Sequence, residues 1–235
     1  MTISVVLPAY QEAENLKNIL PNIHAVLKDV EHEILVIDTM TPMDDTEAVC
    51  RENNTRYVPR TGGNLYGDAI RTGFASATGK YTVIMDADGS HDPREILNFL
   101  AVMEQGQTDL VIGSRYCKGG YTDNNFILRF MSWALNVTYR VFFGLKVKDV
   151  SDSFRMYKTQ QIQQLQFACD NFDIVEEILI KLSYSFDPYI IRELPISFNK
   201  RVAGESKRDL VKFIISYITT IRKLMQIKRG TTKVR

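Results

Sequence analysis

Short apolar segments alternate along the first half of the chain with segments in which apolar residues recur every three or four positions. The apolar segments are residues 3–8, 33–38, 56–60, 81–86 and 110–115. Helical spacing follows each of the first four, and after the first it involves Leu16, Ile19, Leu20, Ile23 and Leu27. Continuous apolar strands separated by amphipathic helices predict an α/β fold, with a mostly parallel sheet covered by helices on both faces.

The composition is that of a soluble globular protein and narrows the function classes. The chain has 235 residues, 45% of them hydrophobic and 24% charged, which predicts one main domain. A net charge of +1 argues against nucleic acid as a partner. Cys50, Cys117 and Cys169 are widely spaced and form no CxxC pair, so we expect reduced thiols in the cytoplasm and no structural zinc. We also expect no signal peptide and no transmembrane helix.

Two aspartates close the fourth apolar segment. Asp86 and Asp88 are separated only by Ala87, and in an extended segment residues two apart point to the same side. Two carboxylates held close together repel each other unless a positive charge lies between them. Hard oxygen ligands on one short turn suit Mg²⁺ or Mn²⁺. A solvated turn would account for the same residues on this evidence alone.

The position of the pair relative to other polar segments favours a binding site. Residues 8–12, 38–45, 86–90 and Arg115 all follow predicted strands. In parallel sheets ligands bind at the carboxyl ends of strands, near a switch in strand order. The acidic pair is therefore predicted to belong to such a site.

Several segments together resemble family 2 glycosyltransferases of the GT-A fold. They are VVLPAYQEAENL (5–16), MDADGSHDP (85–93), GSRYCKGG (113–120), KDVSDSFRMYK (148–158) and ELPISFNKRVAGESK (193–207). The last three are similar to the dolichol-phosphate or polyprenyl-phosphate mannosyltransferase branch, as is Ser132 with Asn136 four residues later. The resemblance covers residues 3 to about 207. It implies a Rossmann-like GT-A domain over residues 1–209, followed by an amphipathic helix and basic tail over 210–235.

The resemblance also implies a set of site residues. The implied catalytic residues are Asp86, Asp88 and Arg115, and the implied metal ligands for Mg²⁺ or Mn²⁺ are Asp86 and Asp88. The implied donor pocket consists of Pro8, Ala9, Tyr10, Glu12, Asp38, Asp86, Ala87 and Asp88. The implied acceptor and phosphate ligands are Arg115, Arg129, Ser132, Arg201 and Lys207. The expected reaction is an inverting, metal-dependent transfer from a nucleotide sugar, GDP-mannose being favoured, to a polyprenyl or dolichyl phosphate.

One departure from the family pattern leaves other functions open. Relatives have two adjacent acids followed by Gly-Ser after the second strand, where this chain has Thr39 and Met40. The alternatives are a transferase of the same fold using a UDP-sugar or a saccharide hydroxyl acceptor in cell-surface polysaccharide synthesis, or an inactive module that binds nucleotide sugars. A nucleotidyltransferase would normally carry a Gly-rich loop with Lys or Arg after the first strand, and PAYQEAENL (8–16) has none.

Two segments predict contact with a membrane surface. In residues 126–145, Arg129, Ser132, Asn136 and Arg140 form a polar stripe on an aromatic-rich helix, which suits either the core or a lipid interface. From Leu210 onward an apolar helical face is followed by basic residues. We expect a peripheral protein on the cytoplasmic face of a membrane. The C-terminal face could instead pack on the domain or bind a membrane-anchored partner, and a homo-oligomer is also possible.

Overall fold

The computed structural model describes residues 1–123, 126–198, 220–222 and 224–226, without the side chains of Ile127 and Leu128. The strands are β1 (Ile3–Pro8), β2 (His32–Asp38), β3 (Arg56–Pro59), β4 (Tyr81–Ile84), β5 (Leu110–Ser114), β6 (Tyr121–Thr122), β7 (Arg155–Lys158), β8 (Ile191–Pro195) and β9 (Ser197–Phe198). The helices are α1 (Ala13–Val26), α2 (Thr46–Glu52), α3 (Tyr66–Ser76), α4 (Glu95–Glu104), α5 (Phe126–Phe143), α6 (Thr159–Gln163) and α7 (Ile174–Ser185).

Seven strands form one sheet in the order β3-β2-β1-β4-β7-β5-β8. All neighbouring pairs are parallel except those made by β7, which runs antiparallel to both β4 and β5. The predicted mostly parallel α/β fold is therefore confirmed. The five strands predicted from apolar segments are β1 to β5, whereas the insertion of β7 between β4 and β5 was not predicted.

The central strands are apolar because both of their faces are covered. Val5 and Leu7 of β1 and Val83 of β4 lie in one core cluster with α1 and α4. Val6 of β1 points to the opposite face and packs with Ala69 of α3. This two-sided burial explains why these strands read as continuous apolar segments rather than alternating ones.

The strand order reverses at β1, and this reversal locates the edge of the sheet where a ligand can bind. From β1 the chain moves outward through β2 to β3, and it returns to pair β4 with the other side of β1. The connections on the two sides of β1 therefore diverge, and a crevice opens at the carboxyl ends of β1 and β4.

The described part of the C-terminal segment packs against the domain. Residues 220–222 and 224–226 are helical, and Leu224 is fully buried in the cluster that contains Ile174 and Ile178 of α7. The hydroxyl of Thr220 donates to the Asp173 carboxylate at 2.6 Å. For this short stretch the structure supports packing on the domain, one of the three alternatives left open by the sequence. The predicted boundary at residue 209 lies outside the described residues, and no helix in the described part of the chain is long and apolar enough to span a membrane.

Candidate active site

A cleft of about 700 Å³ lies over the carboxyl ends of β1 and β4. Its lining combines the end of β1, the start of α1, the loop after β2 and the turn after β4. The residues around it are Pro8, Ala9, Tyr10, Gln11, Glu12, Ala13, Glu14, Asn15, Asp44, Asp45, Arg60, Tyr66, Asp86, Ala87, Asp88 and Phe172. Seven of the eight predicted donor residues lie in this lining, and Asp38 is the exception.

The His91 ring stabilises the Asp86–Asp88 turn by a hydrogen bond to its backbone. The backbone N–H of Asp86 donates to His91 Nδ1 at 3.2 Å, and the N–H of Ser90 donates to Asp88 Oδ1 at 3.0 Å. Gly89 has a φ of +79°, which only glycine adopts without strain. These contacts fix the conformation of the turn and leave both aspartates at the cleft.

The chemistry of this turn fits a divalent cation. Burial raises the pKa of Asp86; the charge of His91 opposes this shift, while those of Asp88 and Asp152 add to it. Crowded carboxylates of this kind are stabilised by a hard cation bound between them. Among the described residues, no group of three or more His, Cys, Asp or Glu side chains is arranged to hold a metal ion. Asp86 and Asp88 would be the protein's contribution to such a site.

Asp38 does not line the cleft, and its backbone carbonyl accepts the N–H of Arg60, which does, at 2.9 Å. The Asp38 side chain is buried, and its Oδ2 atom accepts a hydrogen bond from the Tyr57 hydroxyl at 3.2 Å. Arg60 donates to the backbone carbonyl groups of Ala9 and, at 2.6 Å, of Asn64. Arg60 therefore ties the end of β1 to the loop before α3. The role predicted for Asp38 in nucleotide binding stays a prediction.

The loop that departs from the family pattern also reaches the cleft. Asp44 and Asp45 line it, and the Asp44 carboxylate accepts the N–H of Ala13 at 3.0 Å and that of Thr46 at 3.1 Å. Thr39 is buried, and its hydroxyl donates to the Thr41 carbonyl at 2.7 Å. Asp44 therefore joins the first turns of α1 and α2, next to the predicted donor pocket.

The Arg115 side chain is paired with carboxylates of the protein and is not available to a ligand in this arrangement. Its guanidinium group contacts Asp149 through two hydrogen bonds of 2.8 Å, Ser151 at 2.9 Å and Asp152 at 3.1 Å. Burial alone would lower the pKa of Arg115, but Asp149 and Asp152 outweigh it and raise the pKa. Arg115 does not line the described cleft, so its predicted role as a phosphate ligand would require a change in these contacts.

The same network reaches the Asp86–Asp88 turn. Asp152 lies 3.5 Å from His91 Nε2, and the neighbouring Ser153 hydroxyl donates to Asp86 Oδ1 at 3.1 Å. Burial alone would lower the pKa of His91, but its interaction with the Asp152 carboxylate, which can only accept a hydrogen bond from the ring, and the charge of Asp86 outweigh burial and raise that pKa. Residues 149–153 thus connect Arg115 with Asp86.

The polar stripe on α5, which contains the predicted acceptor residues Arg129 and Ser132, divides between two environments. Ser132 faces the network, with its hydroxyl 3.2 Å from that of Ser151, and Asn136 is buried and accepts the N–H of Val150 at 3.0 Å. Arg129 and Arg140 are exposed. The polar stripe predicted from spacing therefore packs on the domain at its centre and is open at its ends. Arg201 and Lys207 lie outside the described residues.

Four residues around the site were missed by the sequence reasoning. Arg60 could have been found because it follows β3, as the other site segments follow their strands. His91 lies in the MDADGSHDP segment, which assigned it no role, and the structure places its ring against the backbone of the turn. Tyr66 and Phe172 carried no local signal, because they come from separate parts of the chain that meet only in the folded protein.

Comparisons with known proteins show the family of this chain. The family model described as Glycosyl transferase family 2 matches residues 4–165. The chain belongs to this family. It is 32% identical over 234 residues to the dolichol-phosphate mannosyltransferase of Pyrococcus furiosus, covering 96% of this chain and 64% of that relative. It is 31% identical over 214 residues to the polyprenol monophosphomannose synthase of Mycolicibacterium smegmatis, covering 86% of this chain and 79% of that protein.

Solved structures identify the fold as GT-A. Glucosyl-3-phosphoglycerate synthase from Mycobacterium tuberculosis, in complex with Mn²⁺, UDP and phosphoglyceric acid, gives a TM-score of 0.75 at 19% identity. That comparison covers 99% of this chain and 80% of the solved chain. The complex of the same enzyme with Mn²⁺ and UDP-glucose gives a TM-score of 0.74 at 20% identity, covering 96% of this chain and 78% of that one. The GT-A fold expected from the resemblance is confirmed.

Proposed function

We propose that this family 2 member is an inverting, metal-dependent glycosyltransferase that moves a sugar, favouring mannose from GDP-mannose, to a polyprenyl phosphate. The single observation that carries the proposal is the position of Asp86 and Asp88 in the cleft at the β1/β4 switch point. The activities named for the Pyrococcus and Mycolicibacterium relatives support the choice of sugar and lipid. The Pyrococcus relative is considerably longer, since this chain spans 64% of it.

The proposed acceptor determines the chemistry. A phosphate monoester is already ionised at neutral pH, so its oxygen can attack the anomeric carbon without a general base. The new carbon–oxygen bond forms as the bond to the nucleoside diphosphate breaks, and attack from the opposite side inverts the anomeric centre. The protein then has two tasks, which are to align the reactants and to stabilise the diphosphate that leaves.

The residues of the cleft match these tasks. Asp86 and Asp88 would hold a divalent cation, whose charge would neutralise the departing diphosphate. Pro8 to Glu12 supply the wall at the end of β1. Ser132 and Arg129 lie on α5, and the Ser132 hydroxyl contacts Ser151 of the 149–153 segment whose Ser153 contacts Asp86; the acceptor phosphate would approach along this helix.

A donor and acceptor screen tests the proposal. The purified chain is incubated with Mn²⁺, a short polyprenyl phosphate and, in separate reactions, GDP-mannose, UDP-glucose or UDP-N-acetylglucosamine, and the product mass is measured. We expect a lipid product one hexose heavier with GDP-mannose. Transfer only from a UDP-sugar would replace the donor, and the absence of any product would support an inactive binding module.

We further propose that α5 attaches the protein to an anionic membrane surface. Phe126 is 81% exposed, and Phe130, Trp133 and Val141 continue the same row at spacings of four, three and eight residues. A core helix would cover such residues, and a lipid interface would bury them. Among the described residues this is a broader exposed apolar face than the C-terminal segment offers, because Leu224 is buried.

The charges around α5 are complementary to anionic lipid. Arg129, Arg140, Lys146 and Lys148 are exposed, and no acidic residue occurs between Asp123 and Asp149. Basic residues near an anionic leaflet contribute about 1 kcal/mol each. The apolar row and these charges also lie on the helix that carries Ser132, so attachment here would present a lipid phosphate to the site.

Flotation with vesicles tests the attachment. The wild type should float with vesicles rich in phosphatidylserine, and added salt should weaken this binding. The double variant Phe130→Ser and Trp133→Ser should remain at the bottom of the gradient, while the control Leu97→Ser, which changes an exposed residue of α4, should float. Equal flotation of the double variant would contradict the proposal. A wild type that dimerises in solution through this face, as shown by sedimentation, would assign α5 to a second copy instead.

A further inference from the structure

Two aromatic rings from separate parts of the chain form a stack at the edge of the cleft. Tyr66 begins α3 and Phe172 precedes α7, and their ring centroids lie 4.4 Å apart with 25° between the ring planes. Both residues line the cleft together with Asp86. Phe172 remains 40% exposed, although an aromatic ring of this size gains from complete burial.

The backbone beneath the stack is fixed by a close contact. The N–H of Gly67 donates to the carbonyl of Asp170 at 2.7 Å. A Cβ atom at Gly67 would lie 2.2 Å from the carbonyl oxygen of Cys169, so only glycine allows the two segments to approach this closely. The start of α3 and the segment before α7 therefore touch backbone to backbone.

Two charged side chains add to this support. Arg71 donates to the Cys169 carbonyl at 2.7 Å and to the Asp170 carboxylate at 3.1 Å. Glu177 is fully buried, and its carboxylate accepts the N–H groups of Ala168 and Cys169 at 2.7 to 3.0 Å. A partly exposed ring held by such a framework is preorganised, which is how proteins present a ring to a ligand.

The stack lies on the side of the cleft that holds Asp86. The Tyr66 hydroxyl is buried next to Asp86 and Ser153. Arg60 and Asp44 lie toward the ends of β3 and β2 instead. If the diphosphate is bound at Asp86 and Asp88, the group attached to it lies next to Tyr66 and Phe172.

We infer that the Tyr66–Phe172 stack is the platform on which the sugar ring of the donor rests, and that it contributes to the choice of sugar. This inference rests on the proposed function. One face of a pyranose is made of C–H groups and suits an aromatic surface, while its hydroxyl groups can reach the acidic side of the cleft. A pocket that combines aromatic walls with a few polar groups is the usual form of a specific small-molecule site.

Calorimetry in the presence of Mn²⁺ and without acceptor measures how much the sugar contributes to donor binding. GDP-mannose is compared with GDP, and UDP-glucose with UDP, for the wild type, Phe172→Ala, Phe172→Tyr and the control Leu97→Ala. Leu97 has a similar exposure of 39% and lies on α4. Thermal unfolding of each variant establishes that it is folded.

The expected result is selective. Phe172→Ala should weaken binding of the nucleotide sugar by about ten-fold or more and leave the free diphosphate within about two-fold, as for the loss of an apolar contact to one substrate group. Phe172→Tyr and Leu97→Ala should both bind like the wild type. Equal losses for sugar and free diphosphate, or no loss for either, would overturn the inference while the transfer reaction itself stands. A wild type that binds the diphosphates but no nucleotide sugar would overturn the proposed function as well.

Discussion

The guanidinium group of Arg115 and the carboxylate of Asp149 are joined by two hydrogen bonds, each 2.8 Å long. The backbone N–H of Arg115 donates to the same carboxylate at 3.0 Å. This pair fixes the end of β5 to the 149–153 segment, whose Ser153 contacts Asp86. An arginine predicted to bind the acceptor is thus also part of the framework that positions the Asp86–Asp88 turn.

Removal of Asp149 should destabilise the protein strongly. Asp149 is fully buried, and Asp149→Ala would leave the guanidinium group without its main partner. Breaking a buried ion pair in this way costs about 3–5 kcal/mol. Chemical denaturation should show this loss, whereas Lys17→Ala, which removes an exposed pair with Glu14, should not move the unfolding midpoint. An unchanged free energy of unfolding in Asp149→Ala would mean that the pair is not structural.

Arg129 offers a cleaner test of acceptor binding, because it is exposed and its removal should not affect folding. A charge-assisted hydrogen bond to a phosphate is worth about 1.5–3 kcal/mol. With a water-soluble short-chain polyprenyl phosphate, Arg129→Ala should raise the KM for the acceptor by about one to two powers of ten. Arg140→Ala, at the other end of α5, is the matched control and should behave like the wild type. A loss of affinity for the nucleotide sugar instead would assign Arg129 to the donor.

A pair of histidines predicts weaker folding at low pH. His24 Nδ1 lies 3.1 Å from His32 Nε2, and His32 Nδ1 contacts the Val30 carbonyl at 2.7 Å. Because a carbonyl oxygen only accepts, His32 carries its proton on Nδ1 and accepts from His24. Burial and, next, the charge of His32 lower the pKa of His24 from its usual 6.5. The unfolded chain therefore binds the proton more readily than the folded one.

The sign of the effect follows from this difference. Stability should be complete above about pH 6.5 and should fall as the pH decreases below the unfolded pKa of His24. Chemical denaturation between pH 8 and pH 5 measures the free energy of unfolding. In His24→Gln the decrease over this range should be smaller than in the wild type. If the two proteins lose the same stability between pH 7 and pH 5, the pair has no such role.

The parts of the fold that depend on local pattern were predictable. The apolar runs at Val5 and Val83 follow from burial on both faces, and Asp86 with Asp88 marked the site by position alone. Phe172 meets Tyr66 only through the fold, so no neighbouring residue indicated it. An amphipathic pattern predicts an apolar helical face but does not identify what covers that face. The sequence therefore could not predict that Leu224 is buried in the domain while Phe130 is exposed.

The most direct test of the account is the initial rate of sugar transfer to polyprenyl phosphate by the wild type and by Asp86→Asn, each with and without Mn²⁺. The carboxamide has nearly the same shape but no charge to hold the cation, so the variant should fold normally and lose transfer at every Mn²⁺ concentration. The wild type should lose activity when the metal is chelated and regain it when Mn²⁺ is restored. Near-native transfer by folded Asp86→Asn, or full wild-type activity without a divalent cation, would contradict the assignment of this turn as the catalytic metal site.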